Sequence, residues 1–416
     1  MKFLTNKSDF IQNVVKLMTG TIIVQLIAFL SQPIITRIYS PHDYGIFATI
    51  QAIIILLAYL SSLCYDRAIV VAENDFESLA LTKICIKIII PFSIIFLFIL
   101  LIPECSKLII NYNLPLYIKF IIFIWLIIAS INIVLQSLNT RYKLYKQMSI
   151  RQIKSSILST ILQTLYGILH FGFLGLLLSY VISAIYGAYL LSKGFTKKLI
   201  QLPVTNTKEI IYKYKGFPKY QLLGVILDTG SMQLVIILIN SFFGAELAGQ
   251  YSLANKVLAI PMTLIGATFA QVFYQEFSER FSQNNAPLKF LLNTWKKLFI
   301  LGIIPIGVLF LFSEPLFIFV FGNKWYLAGW FAKYLCIMTF IMLISGSTSS
   351  ALIVIGEQRW FLFITFIYFI FRLFSVYLMK YQSLKFGLCV FILLEVVAII
   401  LYNIPILLSL RRLHQS

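Results

Sequence analysis

Eight polar side chains stand where the surrounding sequence is almost wholly apolar: Gln25, Arg37, Asp66, Arg67, Asp228, Lys256, Arg372 and Glu395. A charge near the middle of a hydrocarbon layer costs about 2.5–3.5 kcal/mol on insertion scales, so it faces a polar cavity or a partner. Such residues can hold a polar cargo, bind a coupling ion, or pair to tie helices together. Covalent chemistry is not indicated. The chain has three histidines and no Walker A, HExxH or DxDxDG-type run. The five cysteines (Cys64, Cys85, Cys105, Cys336, Cys389) are scattered singly, without a CxxC or a Cys/His cluster. They read as small apolar fillers, neither metal ligands nor disulfides, and no metal site or cofactor is expected.

The elements that must position these residues are membrane-spanning helices. The chain is 60% hydrophobic and only 12% charged over 416 residues. Apolar runs of about 20 residues recur along its length, each long enough to cross a hydrocarbon core of about 30 Å. A helix satisfies its own backbone in lipid, and the alternation of a barrel strand is absent. The fold class is therefore all-α and polytopic. Spans are expected at 14–36, 45–68, 84–102, 117–138, 153–170, 173–191, 220–243, 248–273, 296–312, 329–355, 360–379 and 386–408, about twelve in all. They divide into a six-helix lobe at 1–192, a basic linker at 193–219 and a second six-helix lobe at 220–416. The first run, preceded by Lys2, Lys7 and Lys16, continues too far for a signal peptide and is read as a retained span. Trp295, Trp325, Trp330 and Trp360 fall near expected ends, as an interfacial belt requires.

The net charge of +19 is concentrated in alternate loops. Arg141, Lys143, Lys146, Arg151 and Lys154 join spans four and five. Lys193, Lys197, Lys198, Lys208, Lys213, Lys215 and Lys219 join six and seven, and Arg411 and Arg412 follow span twelve. The turns at 170–172 and 244–246 have no Lys or Arg. Roughly 25 basic residues fall on one side against about seven on the other, which places both termini in the cytoplasm. The basicity is that of the positive-inside rule and of attraction to anionic membrane lipids, not of nucleic-acid binding.

The stretch TRIYSPHDYGIFATIQ, 36–51, has a relaxed copy in SFFGAELAGQYSLANK, 241–256. Placing Gly45 on Gly249 gives an ungapped offset of 249 − 45 = 204 residues, about half the chain. Tyr39 then meets Phe243, Ser40 meets Gly244, Phe47 meets Tyr251, Gln51 meets Asn255, and Gly20 meets Gly224. Six spans per copy bring both copies into the membrane in the same sense. Parallel repeats of this kind are related by an axis along the membrane normal, and transporters place substrate at the interface of the halves.

PIITRIYSPHDYGIFATIQAI (33–53) resembles the start of bacterial polysaccharide-export flippases of the Wzx type, O-antigen and capsule repeat-unit transporters of the MOP superfamily. That superfamily also holds the MATE exporters and the murein precursor flippases. LSSLCYDRAIVVAEND (60–75), GFPKYQLL (216–223) and FFGAELAGQYSLANKVLAIPMTLIGATFAQVFYQEFSE (242–279) are similar to later blocks of the same family. The likeness is hydropathic only in spans three to six and nine to twelve. It implies two six-helix lobes forming a V around a central cavity lined by spans one, two, seven and eight. It also implies the movement of oligosaccharide repeat units on undecaprenyl pyrophosphate from the cytoplasmic to the outer face of the inner membrane. A polysaccharide polymerase and a chain-length regulator are the protein partners that follow from it, and a proton or sodium ion is the coupling ion.

The cargo combines a lipid tail, a negative pyrophosphate and polar sugars. Such a sugar head cannot cross hydrocarbon without losing hydrogen bonds. The family motif has a basic residue, normally Arg, at Lys256, roughly 12 Å in from the outer end of span eight. Lys256 is expected to contact pyrophosphate or sugar as a point charge. Asp228, roughly 10 Å from the cytoplasmic end of span seven, is either a coupling carboxylate or the neutralising partner of Lys256. Asp66 and Arg67 end span two and, being adjacent, face different partners; gating of the cytoplasmic mouth, ion coupling at Asp66 and a helix cap are all open. Arg37 lines the exit or snorkels to headgroups. Gln25 and Gln32, seven apart, bond sugar or a neighbouring helix. Arg372 and Glu395, at similar depth in the last two spans, are expected to be a structural pair. The small hydroxylated run SGSTSSA, 345–351, is read as close helix packing.

A MATE-type cation-coupled drug exporter is the rival with the same fold. It would favour acidic cavity residues, whereas this chain offers Arg37, Arg67 and Lys256. A polysaccharide polymerase or ligase is the rival of another class. It would need outer-face catalytic groups, and only His42 and His170 fall there.

Overall fold

The computed structural model describes residues 7–112, 114–196, 199, 207–283, 285–357 and 359–415. Among these there is no β-strand. Compact packing divides the chain into one unit over Met1–Gln233 and a second over Leu234–Ser416.

The first unit contains α1 (Lys7–Ile38), α2 (Pro41–Ser61), α3 (Tyr65–Val71), α4 (Asp75–Leu101), α5 (Pro103–Ile110), α6 (Leu116–Arg141), α7 (Tyr145–Ile168), α8 (Phe173–Ser192) and α9 (Thr207–Lys213). A helical run over Phe217–Phe243, α10, carries the boundary between the units. The second unit continues with α11 (Ala245–Ser282), α12 (Pro287–Phe321), α13 (Tyr326–Gly346), α14 (Ala351–Ile355), α15 (Arg359–Tyr381) and α16 (Leu384–Gln415).

The TRIYSPHDYG stretch is a helix start whose parts are all used. The Ser40 side chain accepts from the Asp43 backbone N–H at 3.0 Å, and its hydroxyl donates to Asp43 Oδ2 at 2.6 Å. Pro41 follows at the first helical position, where its missing N–H costs nothing. Asp43 Oδ1 also accepts from the Phe173 N–H, at 3.2 Å, so the start of α2 is tied to the start of α8. The Tyr39 hydroxyl donates to the Gln163 carbonyl of α7 at 2.7 Å. Gly175 leaves room for that ring, since a Cβ there would lie 2.9 Å from the Tyr39 hydroxyl.

The α6–α8 seam is held by two asparagines one heptad apart. Asn132 donates to the Ala184 carbonyl at 2.9 Å and Asn139 to the Leu191 carbonyl at 3.0 Å. Each amide also donates back to a carbonyl of its own helix four residues earlier, on Ile128 and Leu135. Interhelical polar contacts in a membrane are worth about 0.6–1.7 kcal/mol each. Asn139→Leu is therefore expected to lower unfolding free energy by about 1 kcal/mol, read by thermal unfolding in detergent. A variant as stable as wild type would remove this seam from the account.

The second unit repeats part of the first unit's order and packing. Ser40 caps α2 and Gly244 caps α11, so the helices begin at 41 and 245, an offset of 245 − 41 = 204. In the first unit α2, α4 and α8 pack on α6, and α7 packs on α8; in the second, α11, α12 and α16 pack on α13, and α15 packs on α16. Gly329 lets α13 close on α12, where a Cβ would lie 2.7 Å from Glu314 Cα.

Among the described residues, twelve long helical runs stand where about twelve spans are expected, and the protein is a multi-pass, all-α membrane protein. Ten are apolar enough over 18 residues to cross a membrane by composition. Of the other two, α7 carries Arg151 and Lys154 in a polar first half, and α11, which carries Lys256, includes residues whose side chains lie outside the described set.

Several boundaries differ from the hydropathic reading. The expected second span, 45–68, is broken after Ser61, where Leu63 and Cys64 take left-handed backbone (φ 51° and 63°). Asp66 and Arg67 thus belong to the separate short helix α3. Arg151 and Lys154 are not in a loop, because α7 already starts at Tyr145. Trp325 is fully buried in the turn between two long helices, whereas Trp360 is 43% exposed. The SGSTSSA run closes α13 in serial turns, and neighbouring helices converge on it. Trp295 Nε1 donates to Thr348 Oγ1 at 2.9 Å, Asn403 to Ser345 Oγ at 2.7 Å and the Tyr402 hydroxyl to the Ser349 carbonyl at 3.2 Å. Among the described residues the cysteines are free: Cys64, Cys85 and Cys336 are buried and Cys389 is exposed. The side chain of Cys105, and residues Lys2, Lys197 and Lys198, lie outside the described set.

Candidate functional site

The first unit gathers an ionisable cluster around the α2–α3 break. Asp66 is 6% exposed and accepts a hydrogen bond from the Ser62 hydroxyl. Burial pushes its carboxyl above the usual aspartate value, against the opposing pull of Ser62 and of the Arg67 charge. Arg67, the next residue, is exposed and donates to Gln221 Oε1 at 3.2 Å. Adjacent helical positions thus serve different partners, one inward and one outward.

The raised value has a defined consequence. The folded state favours the protonated Asp66, so the stability this one carboxyl contributes is fully present at acidic pH. It declines as pH rises from the ordinary value near 3.9 through the folded one. Asp66→Asn is neutral throughout and escapes that decline. Its melting temperature relative to wild type is expected to rise as pH increases above about 4. A constant difference would show a carboxyl that titrates normally.

Gln221 lies in a helix of unusual pitch. Two π-helical segments, Phe217–Gln221 and Ile226–Gly230, interrupt α10. Pro218, which lacks a donor, sits in the first; Gly224 precedes the second and Gly230 ends it. π-bulges are uncommon and concentrate at functional sites. Asp228 sits in the second, exposed, with its backbone carbonyl accepting from Ser231 Oγ at 2.9 Å. Gly230 packs toward Leu56 of α2.

The remaining expected residues are spread along other helices. Arg37 is exposed in the last turn of α1, and Gln25 is half-buried in the same helix. Gln32 is 2% exposed and donates to the Tyr44 hydroxyl of α2 at 3.2 Å, a helix contact. In the second unit, Lys256 is half-buried in α11. Arg372 of α15 meets Glu395 of α16 through Nε to Oε1 and through Nη2 to Oε2 at 3.1 Å. The guanidinium also stands 5.3 Å from the Tyr368 ring centre. Among the described residues no group of three or more His, Cys, Asp or Glu could hold a metal ion.

Among the described residues, one buried and one half-buried cation were passed over in the sequence. Lys119, at the start of α6, is 7% exposed. Arg151 turns inward from α7 and donates from Nη2 to Asn132 Oδ1 at 2.9 Å. Its neighbour Gly187 is small for a reason, since a Cβ would lie 2.8 Å from Arg151 Nε. An arginine six residues into a polar helix start looks like loop charge by composition. The signal that singles it out is Asn132, a polar residue deep in an apolar span.

With this geometry in view, the class is set by fold. A multidrug resistance MATE family transporter of the MOP superfamily, in its inward-facing conformation, superposes with a TM-score of 0.72 at 16% identity. The match covers 97% of this chain and 99% of that one. A MOP superfamily transporter from Pyrococcus furiosus gives a TM-score of 0.60 at 15% identity, over 97% and 96% of the two chains. At these identities the likeness is one of fold. The chain belongs to the polysaccharide biosynthesis protein family, whose sequence profile residues 34–328 match. Teichuronic acid biosynthesis protein TuaB of Bacillus subtilis (strain 168) is 25% identical over 229 residues, 51% of this chain and 46% of TuaB. The match thus spans about half the length of that curated relative.

Proposed function

We propose that the protein is a flippase for undecaprenyl-pyrophosphate-linked oligosaccharide repeat units of the O-antigen or capsule type. It carries them from the cytoplasmic to the outer face of the bacterial inner membrane by alternating access, with both termini in the cytoplasm. The observation that carries this reading is membership of a polysaccharide biosynthesis family by a chain with a MOP-transporter fold. A fold built for transport, in a family concerned with glycans, calls for a polar glycan head moved through a membrane and for no bond made or broken.

In this proposal Arg37, Arg67, Gln25 and Lys256 contact the pyrophosphate and sugars along the route. Asp66 and Asp228 are the carboxylates that take up a proton or a sodium ion. The buried, hydrogen-bonded Asp66 suits a proton, because burial already favours its neutral form. The cationic set favours an anionic cargo over the cations of a drug exporter. The Pyrococcus furiosus transporter is described by a reversed polarity of its binding pocket suggesting a different function. A polymerase and a chain-length regulator act after it.

Deletion of the gene provides the test. Loss of surface polysaccharide, with lipid-linked repeat units accumulating on the cytoplasmic face, is the expected result. Normal polysaccharide together with heightened sensitivity to organic cations would instead identify a drug exporter.

A further inference from the structure

The turn between α6 and α7 and the end of α8 border an open surface pocket of about 510 Å³. That is within the range of about 300–1,000 Å³ typical of small-molecule sites. Four lysines line it: Lys143, Lys146, Lys154 and Lys193. It is stapled in place by Gln147, whose amide donates to the Leu190 carbonyl at 2.7 Å. Lys193 leans over the Tyr189 ring at 4.8 Å.

No carboxylate lines the pocket. Elsewhere among the described residues three exposed or half-exposed cations meet acids: Lys213 meets Glu73 and Glu77, Arg280 meets Glu276 and Lys333 meets Glu314. None of the four pocket lysines forms such a pair among the described residues. Four like charges around one hollow repel unless an anion lies between them.

Two further features define the anion. The pocket sits at the polar edge of the spans, since apolar segments end at Arg141 and Ser192, beside Lys143 and Lys193. Its remaining wall is apolar, made by Leu144, Ile150 and Leu190. From Ile150 a stripe of exposed aliphatic side chains runs along α7 through Ile157, Ile161 and Leu165, which are 39%, 42%, 58% and 49% exposed in that order. The spacing of seven, four and four residues keeps them on one helix face. A free phosphate has no use for that track, whereas an acyl chain does.

We propose that this pocket is a binding site for an anionic phospholipid of the bilayer, its phosphodiester head among the four lysines and an acyl chain along α7. Basic pockets between transmembrane helices on the cytoplasmic side are suited to such heads. The site lies wholly within the first unit and does not depend on the cargo proposed above.

Native mass spectrometry of the delipidated full-length protein tests it, with cardiolipin, phosphatidylglycerol and phosphatidylethanolamine added separately. The anionic lipids are expected to bind at least about tenfold more tightly than the zwitterionic one. K143Q/K146Q/K154Q/K193Q should reduce cardiolipin to the phosphatidylethanolamine level, while K208Q/K215Q/K219Q/K289Q, with the same change of charge elsewhere, should retain it. Ile150→Trp fills the pocket without touching its charge and should cause the same loss, which keeps the test decisive if the quadruple variant does not fold. Equal retention by both quadruple variants, unchanged binding in Ile150→Trp, or tighter binding of undecaprenyl phosphate than of cardiolipin would each overturn the proposal.

Discussion

Glu395→Ala is expected to destabilise the second unit by about 3–5 kcal/mol, the largest stability loss of any single substitution proposed for this chain. Glu395 is 2% exposed, and its two oxygens take both branches of the Arg372 fork. Removing it takes from the Arg372 guanidinium, which lies against the Tyr368 ring between α15 and α16, the carboxylate that both its branches meet. The loss comes from that stranded charge more than from the missing contact. The double replacement Arg372→Met with Glu395→Leu should therefore be far milder than the single one, because no charge remains to be desolvated. Thermal or denaturant unfolding in detergent compares the three proteins. A loss below about 1 kcal/mol for Glu395→Ala would mean that Arg372 reaches water, and the pair would not be a structural tie.

Lys256→Ala is expected to lower transport by at least about tenfold, equivalent to about 1.4 kcal/mol of cargo interaction. The ammonium stands half-buried in α11, whose start corresponds to that of α2 in the other half. Arginine at this position keeps the charge and adds a bidentate fork, so Lys256→Arg should retain transport. Lys256→Gln keeps length and polarity without charge and should behave like alanine. Initial rates in proteoliposomes at several cargo concentrations separate binding from translocation. Melting temperatures of the same variants provide the control. If stability falls in the order that transport does, Lys256 holds the fold and not the cargo.

The sequence makes the long helices legible because a bilayer imposes one length and one polarity on each. It also makes the helix start at Ser40 and its copy at Gly244 legible, because caps and turns have narrow chemistry. Hydropathy is blind to what happens within an apolar run. Nothing apolar distinguishes Ser61 from Leu63, yet the backbone turns left-handed at Leu63 and sets Asp66 and Arg67 on a helix of their own. The π turns around Gln221 and Asp228 are equally silent, apart from Pro218 and the glycines that permit them. Arg151 was hidden by its neighbours: amid Lys146 and Lys154 it resembles solvated charge, and only side-chain direction reveals its bond to Asn132. Adjacent charges such as Asp66 and Arg67 can be assigned to different partners from helix geometry alone, but the identities of Ser62 and Gln221 required coordinates.

The most direct test of the central claim is a translocation assay in vesicles holding the purified protein and an undecaprenyl-pyrophosphate-linked oligosaccharide labelled on its sugar. Headgroups are counted by an impermeant reagent at the outer surface over time. Wild-type protein is predicted to bring inner-leaflet heads to the reagent far faster than protein-free vesicles, with Asp228→Asn abolishing the dependence on an imposed ion gradient. Wild-type vesicles that expose heads no faster than empty ones, under any gradient of protons or sodium, would contradict the account.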